Sequence, residues 1–199
     1  DRIVAFLDII GFRTLVQRLE SDMALRAMIH GALSRIREYK NLSEEIGVAQ
    51  SILEVSVFSD NIVISAEADD AHEVLWSAIH LQCELLEMGI PLRGGVAKGR
   101  TFHSGGILFG QGMLDAYHLE SSAAIYPRII IAPQLADEIG ARFRAMLCRK
   151  DSDGIWFIDP FSMGITPGNA EALIEDGYNP HEEALRNIGK RIDQEISQL

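Results

Sequence analysis

The chain has 199 residues, 47% of them hydrophobic and 24% charged, which is enough apolar material for one domain with a sizeable core. Its 29 acidic and 18 basic residues give a formal net charge of -11, which argues against non-specific nucleic-acid binding through a basic surface. Two cysteines without a CxxC pair, no apolar run near the roughly 18 residues of a membrane span, and no signal-peptide pattern at the start favour a cytoplasmic protein that does not bind membranes.

The first part of the sequence predicts a strand, two helices and a hairpin. The apolar run "RIVAFLD" (2–8) is typical of a strand, and the helical pattern after it breaks near Ser21 and Asp22, either of which can cap a second helix. In "LEVSVFSDNIVIS" (53–65) apolar and polar residues alternate with period two before a second apolar run. This pattern predicts a hairpin with Asp60 at its tip.

The second part predicts three further helices among strands. A long apolar-periodic helix begins at Asp69 and stops at Gly89. The remaining pattern predicts strands at 90–102 and 105–110, a helix at 111–123, a strand at 127–132, a helix at 133–147 and a strand at 154–160.

The predicted order of elements indicates an α/β (α+β) fold. Its first portion, β-α-β-β-α-β, matches a ferredoxin-like core with further elements appended. We expect the main domain to occupy residues 1–159. Residues 160–199 are predicted to form an irregular linker and a final charged helix, starting near His181, that packs on the core or on a partner.

Two aspartates are expected at the ends of neighbouring strands. Asp8 ends the first strand, just before a glycine-containing turn, and Asp60 lies at the hairpin tip. Two such carboxylates and the backbone carbonyl of Ile9 are hard oxygen ligands of the kind that Mg²⁺ or Mn²⁺ prefers. A metal pair held there would activate a hydroxyl and neutralise phosphate charge. The alternative is that Asp8 caps the following helix and Asp60 stabilises its own turn.

Three stretches in sequence order resemble class III nucleotidyl cyclases. They are "FLDIIGF" (6–12), "VFSDNIVIS" (57–65) and the segment 92–121, and the similarity extends over about two-thirds of the chain. The resemblance implies a central, mostly antiparallel sheet flanked by helices. It also implies conversion of a nucleoside triphosphate to a 3′,5′-cyclic monophosphate and pyrophosphate. Asp8, Ile9 and Asp60 would hold two Mg²⁺ or Mn²⁺ ions, in sites between the subunits of a homodimer.

The sequence departs from the purine-specific members of that family at several positions. Ser56 stands where those members carry Glu or Lys, and Ile107 aligns with their second base-reading residue. Leu114 aligns with the ribose-binding Asn, and His118 with the transition-state Arg. Loss of the purine-reading groups beside intact metal positions fits a cyclase for another base, or a domain that binds nucleotides without turnover.

A narrower resemblance separates these alternatives. "FLDIIGF", "FSDNIVIS", "GQGMLDAYHLESSAAIYPRIIIA" and "WFID" are similar to the bacterial pyrimidine cyclases of Pycsar antiphage systems. That family makes cyclic UMP or cyclic CMP after phage infection and is encoded beside a separate effector protein that the messenger activates. The resemblance implies the same role here. We favour UTP over CTP because Ser56 is small and uncharged. The rivals are a silent cyclase-homology domain, for nucleotide sensing or dimerisation, and a purine cyclase.

Further residues are assigned to the reaction by their place in these motifs. Arg93 would stabilise phosphate charge, and His118 would replace the missing arginine. Phe12, Lys98 and Tyr117 are assigned, with Ser56, to nucleotide binding. The alternatives are a solvated strand face for Arg93 and Lys98, a helix surface for His118 and a core position for Tyr117.

Two other features have a structural or a ligand-related interpretation. Glycines 94, 95 and 99 would allow close approach of a ligand to the backbone, or they mark bulges. Arg128 in "YPRI" is interpreted as a buried structural ion pair rather than a catalytic residue.

Overall fold

A seven-stranded sheet with helices on both faces organises the chain in a computed structural model that describes residues 1–31, 34 and 53–161. The strands are β1 (Arg2–Ile9), β2 (Glu54–Phe58), β3 (Asn61–Glu67), β4 (Leu92–Gly99), β5 (Thr101–Ser104), β6 (Ile107–Gly110), β7 (Ile129–Ile131), β8 (Cys148–Lys150) and β9 (Trp156–Ile158). The helices are α1 (Phe12–Ser21), α2 (described over 23–31), α3 (Ala71–Glu87), α4 (Gln111–Ala123), α5 (Pro133–Glu138) and α6 (Ala141–Leu147).

The sheet has the strand order β2-β3-β1-β4-β7-β9-β8, and β5 and β6 form a separate two-stranded sheet. All neighbouring strands of the large sheet are antiparallel except β4 and β7. The first four strands, in the order β2-β3-β1-β4, have the ferredoxin-like arrangement. The predicted α/β fold, with a mostly antiparallel sheet flanked by helices, is therefore confirmed.

The two faces of the sheet carry different layers. Successive side chains of a strand point to opposite faces, and in β1 the odd-numbered residues from Ile3 to Ile9 join the larger core with α1, α3 and α5. Val4 and Phe6 join a smaller core with Ala116 of α4. Asp8 continues this second series, so its carboxylate belongs to the face that α4 covers.

The helix boundaries follow from local chemistry. The Asp22 carboxylate accepts a 2.8 Å hydrogen bond from the Leu25 amide, so Asp22 caps α2 as one of the two predicted alternatives. The predicted apolar stripe of α3 is buried, and the helix ends where Gly89 adopts a left-handed φ of 70°. No described helix is both long and apolar enough to cross a bilayer.

Two predicted elements are each divided in the structure, and one strand was missed. The expected strand 90–102 divides near Arg100 into β4 and β5, which belong to different sheets. The expected helix 133–147 breaks where Ile139 takes an extended conformation before Gly140. Strand β8 was not predicted, since its three residues are too few to display an alternation. The linker and helix expected in 160–199 lie outside the described residues, apart from the first two positions.

Candidate active site

Asp8 and Asp60 lie at one end of two adjacent strands, as predicted. In the register of the sheet Asp8 is opposite Asn61 of β3, and Asp60 immediately precedes Asn61. The Ile9 amide donates a 3.0 Å hydrogen bond to the Asp60 carbonyl. The turn that carries Asp60 is thus tied directly to the end of β1.

The alternative structural role expected for each aspartate holds for Asp60 and not for Asp8. Asp60 does contribute to its turn, because its Oδ1 accepts a 3.0 Å hydrogen bond from Asn61 Nδ2. Ser59 beside it has a φ of 56°, a left-handed value uncommon outside glycine. Asp8, by contrast, does not cap the next helix, since α1 begins after Gly11 without a side-chain cap.

The Asp8 carboxylate instead meets Arg93, which links two acidic groups. Arg93 Nε–H donates to Asp8 Oδ2 at 3.0 Å, and the same nitrogen lies 2.7 Å from Glu120 Oε1. Because the single Nε–H is directed at Asp8, the contact with Glu120 is an ion pair without hydrogen-bond alignment. Glu120 is 4% exposed, and its Oε1 has no hydrogen-bond donor among the described residues.

The surroundings of Glu120 act on its pKa in opposite directions. Burial raises the pKa of the Glu120 carboxyl above its ordinary value, the Arg93 guanidinium lowers it, and the charges of Asp8 and Asp60 raise it further. The net direction is upward. The site therefore places two carboxyl groups, those of Asp8 and Glu120, against one guanidinium, and the charge of Asp60 also acts on Glu120.

Glu120 reaches this position because α4 packs closely on β4. The buried face of α4 consists of Gly112, Ala116 and Glu120, spaced four residues apart. A Cβ placed on Gly95 would lie 2.4 Å from the Ala116 carbonyl oxygen, so only glycine permits this approach. The close backbone approach predicted for a ligand at Gly95 and Gly99 is made by α4.

Ser56 belongs to a hydrogen-bonded chain of side chains on the sheet face that carries Asp8. Ser56 Oγ lies 2.8 Å from His103 Nε2, and His103 Nδ1 lies 2.8 Å from Ser65 Oγ. Arg2 Nε donates to Ser65 Oγ at 3.0 Å. His103 comes from β5 and is 4% exposed, whereas Ser56 is only partly buried.

Tyr117 and His118, the two predicted site residues of α4, lie in different surroundings. Tyr117 packs edge-on against Phe6, with ring centroids 5.3 Å apart, and stays about half exposed next to the Asp8 face. His118 is exposed on the other side of the helix, away from the buried face of α4. The fold does not bring His118 to the carboxylates of the same chain.

Lys98 and Phe12 are separated from the carboxylates. Lys98 is opposite Ile3 in the register, so it points to the sheet face opposite to Asp8, and its ammonium pairs with Glu138 at 2.5 Å. The Phe12 side chain packs against the larger core, at the first position of α1. Arg128 pairs with Asp151 and Asp153, as the structural interpretation expected.

Sequence reasoning missed Glu120 and His103 as members of the site. Glu120 had a detectable signal, because an acidic residue occupies the small-residue stripe of α4 that faces the sheet. His103 had none, since its partners are 47 and 38 residues away in the chain.

The oxygen ligands at this edge fit a cation that keeps part of its shell for substrate. Across the described residues, no three His, Cys, Asp or Glu side chains cluster as a metal cage. Asp8 and Asp60 nevertheless lie together, and in the described part of the chain the Asp60 amide does not return a hydrogen bond to the Ile9 carbonyl. Mg²⁺ commonly uses one or two carboxylates together with substrate phosphates and water. The residues therefore fit a phosphate-bound divalent cation.

Comparisons with known proteins identify a fold and no family. No protein-family model matches the sequence, and no curated protein matches it. A structure of adenylate cyclases from Trypanosoma brucei superposes with a TM-score of 0.54 at 12% identity, covering 80% of this chain and 89% of that one. The adenylyl cyclase CyaB from P. aeruginosa gives a TM-score of 0.48 at 15% identity, covering 79% and 93%. The chain therefore has the class III cyclase fold.

Proposed function

We propose that this protein is a nucleotidyl cyclase that converts UTP, in preference to CTP, to the 3′,5′-cyclic monophosphate and pyrophosphate. The observation that carries the proposal is the junction of Asp8 and Asp60 through the 3.0 Å bond from the Ile9 amide to the Asp60 carbonyl. The fold adds support, because the T. brucei proteins that share it are adenylate cyclases.

The carboxylates of Asp8 and Asp60, with the Ile9 carbonyl, would hold two Mg²⁺ or Mn²⁺ ions. When bound, these ions supply phosphate charge neutralisation and a more acidic ribose 3′-hydroxyl. Arg93 stands beside Asp8 with its side chain 36% exposed, where its guanidinium can bind a phosphate oxygen. Glu120 holds that guanidinium from the buried side. The uncapped first turn of α1 adds backbone amides that favour an anion.

The nucleobase would lie over the face that carries Ser56. Purine-specific cyclases place an acidic or basic side chain at this position, and here a small hydroxyl replaces it. Tyr117, half exposed against Phe6, is available to contact the base on the same face. The side chains of Phe12 and Lys98 take no part in this proposal, because they lie away from the carboxylates.

A homodimer would complete the site. Large apolar side chains remain exposed on the β5–β6 hairpin and on α4, namely Phe102, Ile107, Phe109 and Leu114. A two-fold dimer, the commonest assembly of soluble proteins, would cover such a surface. In that arrangement the exposed His118 would act on the site that it shares with the partner subunit.

The resemblance to Pycsar cyclases supports a cytoplasmic role in antiphage defence. The cyclic pyrimidine nucleotide would be a second messenger, and a separate effector protein would respond to it.

The test is incubation of the purified protein with each of the four ribonucleoside triphosphates and Mn²⁺. The proposal expects cyclic UMP as the main product, a smaller amount of cyclic CMP, and pyrophosphate equal to their sum. A cyclic purine as the main product would contradict the base preference and keep the cyclase chemistry.

A silent nucleotide-binding domain is the second candidate. Two observations favour it. Arg93 already pairs with Asp8, and His118, not an arginine, occupies the position that aligns with the transition-state Arg. A silent domain would bind a triphosphate in equilibrium titrations and release it unchanged, which distinguishes it from the enzyme.

A further inference from the structure

The Nε–H group of Arg93 has two carboxylates within reach. Asp8 and Arg93 are opposite each other in the register of β1 and β4, and Nε–H donates to Asp8 Oδ2 at 3.0 Å. The same nitrogen lies 2.7 Å from Oε1 of Glu120, an oxygen that has no hydrogen-bond donor in the described part of the chain. The proton is therefore aligned with Asp8 and not with Glu120.

The two acceptors differ in their access to solvent. Glu120 lies on the buried face of α4, where the close contact with Gly95 fixes the helix, and its side chain is 4% exposed. Asp8 ends its strand beside the turn that carries Asp60, and its side chain is 15% exposed. A cation that enters from solvent therefore reaches Asp8 before Glu120.

The position of the Arg93 proton depends on the charge at Asp8. A buried carboxylate oxygen without a donor is unfavourable, so Glu120 attracts the Nε–H that Asp8 holds. The nitrogen is already 2.7 Å from Glu120 Oε1, so only the direction of the N–H bond has to change. Binding of a divalent cation at Asp8 would neutralise that carboxylate and repel the guanidinium. Both effects favour Glu120 as the acceptor.

We propose that Arg93 is a built-in counter-ion of Asp8 that competes with a divalent cation, and that Glu120 is the positioning residue that takes the Nε–H of Arg93 when the cation binds. This inference rests on the proposed cation site and specifies what controls its occupancy. The Nη groups of Arg93 make no hydrogen bond within the described residues. An Arg93 held by Glu120 through Nε therefore keeps both Nη groups for a phosphate oxygen.

The competition predicts opposite effects for two substitutions. Arg93→Gln removes the positive charge that competes for Asp8, so a cation should bind more tightly. Glu120→Gln removes the charge that draws the guanidinium away from Asp8, so a cation should bind more weakly. Arg93→Lys keeps the competing charge. Because Glu120 acts through Arg93, the effect of Glu120→Gln should largely disappear in the Arg93→Gln background.

The experiment measures the dissociation constant of Mn²⁺ alone, without nucleotide, from the electron paramagnetic resonance signal of free Mn²⁺. We expect binding about tenfold tighter in Arg93→Gln, about tenfold weaker in Glu120→Gln, and within about threefold of the wild type in Arg93→Lys. Lys98→Gln is the matched control. It removes a positive charge from the same strand on the opposite face of the sheet and should keep the wild-type constant.

A second measurement follows the proton itself in the wild-type protein, so it does not depend on the folding of a variant. The Arg93 Nε–H resonance in ¹H–¹⁵N spectra is assigned by its absence in Arg93→Lys and followed during addition of Mg²⁺. It should shift as Mg²⁺ binds and stay slow in exchange with water, because buried Glu120 then accepts it. A resonance that ignores Mg²⁺, or one that exchanges rapidly once Mg²⁺ is bound, would overturn the inference.

The Mn²⁺ titrations can also overturn it. Equal constants for the wild type and Arg93→Gln, additive effects of the two glutamine substitutions, or no Mn²⁺ binding by any variant would each do so. Formation of cyclic nucleotide by a protein whose Mn²⁺ affinity ignores Arg93 would reject this inference and retain the cyclase proposal. The predicted Mn²⁺ constants without any cyclic product would retain this inference and reject the cyclase activity, so the two can fail separately.

Discussion

The contact between α4 and β4 offers a quantitative test through Gly95→Ala. The added Cβ would lie 2.4 Å from the Ala116 carbonyl oxygen, 2.7 Å from Leu119 Cβ and 2.9 Å from the Glu120 amide nitrogen. Two of these three atoms are backbone, so side-chain rotation cannot relieve the overlap. The helix must move by about 1 Å to restore ordinary contact distances, and overpacking of this kind destabilises a protein by about 1–3 kcal/mol.

The displacement should also reach the candidate active site, because Glu120 moves with the helix and loosens its ion pair with Arg93. We therefore expect both a lower free energy of unfolding in urea and a lower kcat for cyclic nucleotide formation. Gly140→Ala is the control, since a Cβ there meets nothing within 4 Å, and it should change stability by less than about 0.5 kcal/mol. Equal stability of the two variants would refute the argument that α4 needs glycine on β4.

Three further outcomes follow from the charged groups. Because the Glu120 pKa is raised in the folded state, folding binds a proton; the free energy of unfolding of the wild type relative to Glu120→Gln should therefore fall as pH rises above about 4.5. Urea unfolding across pH 4.5–8 checks this. A free energy of unfolding of the wild type that rises with pH relative to that of Glu120→Gln would contradict it. Arg128→Leu should lower the free energy of unfolding by about 1.5–3 kcal/mol, through lost charged hydrogen bonds, with KM for UTP unchanged. Lys98→Ala removes an exposed ion pair worth about 0–1 kcal/mol and should leave turnover intact. A large loss of kcat would contradict the placement of Lys98 outside the site.

The features that the sequence predicted correctly depend on local patterns. The hairpin of β2 and β3 follows from period-two alternation, and its two-residue turn places Asp60 at the tip. The pairing of that hairpin with β1, and hence the meeting of Asp8 and Asp60, follows from the ferredoxin-like order of elements. Both inferences need only the succession of strands and helices.

The features that were missed depend on register and tertiary packing. Lys98 was placed near the phosphates because Arg93 is on the same strand, but the five-residue separation points the two side chains to opposite faces. His103 contacts Ser56 only because the β5–β6 hairpin folds over the sheet. Gly95 and Gly99 of β4 carry the right signal, close approach, yet the approaching element is α4 rather than a ligand.

The central claim is that Asp8 and Asp60 form a metal-dependent cyclase site, and the most direct measurement compares the wild type with Asp60→Ala. Both proteins are incubated with UTP and Mn²⁺, and cyclic UMP and pyrophosphate are quantified. The account predicts equimolar products from the wild type and none from Asp60→Ala, with similar thermal unfolding of the two. Equal turnover by both proteins, or no cyclic product from the wild type with any of the four triphosphates, would contradict it.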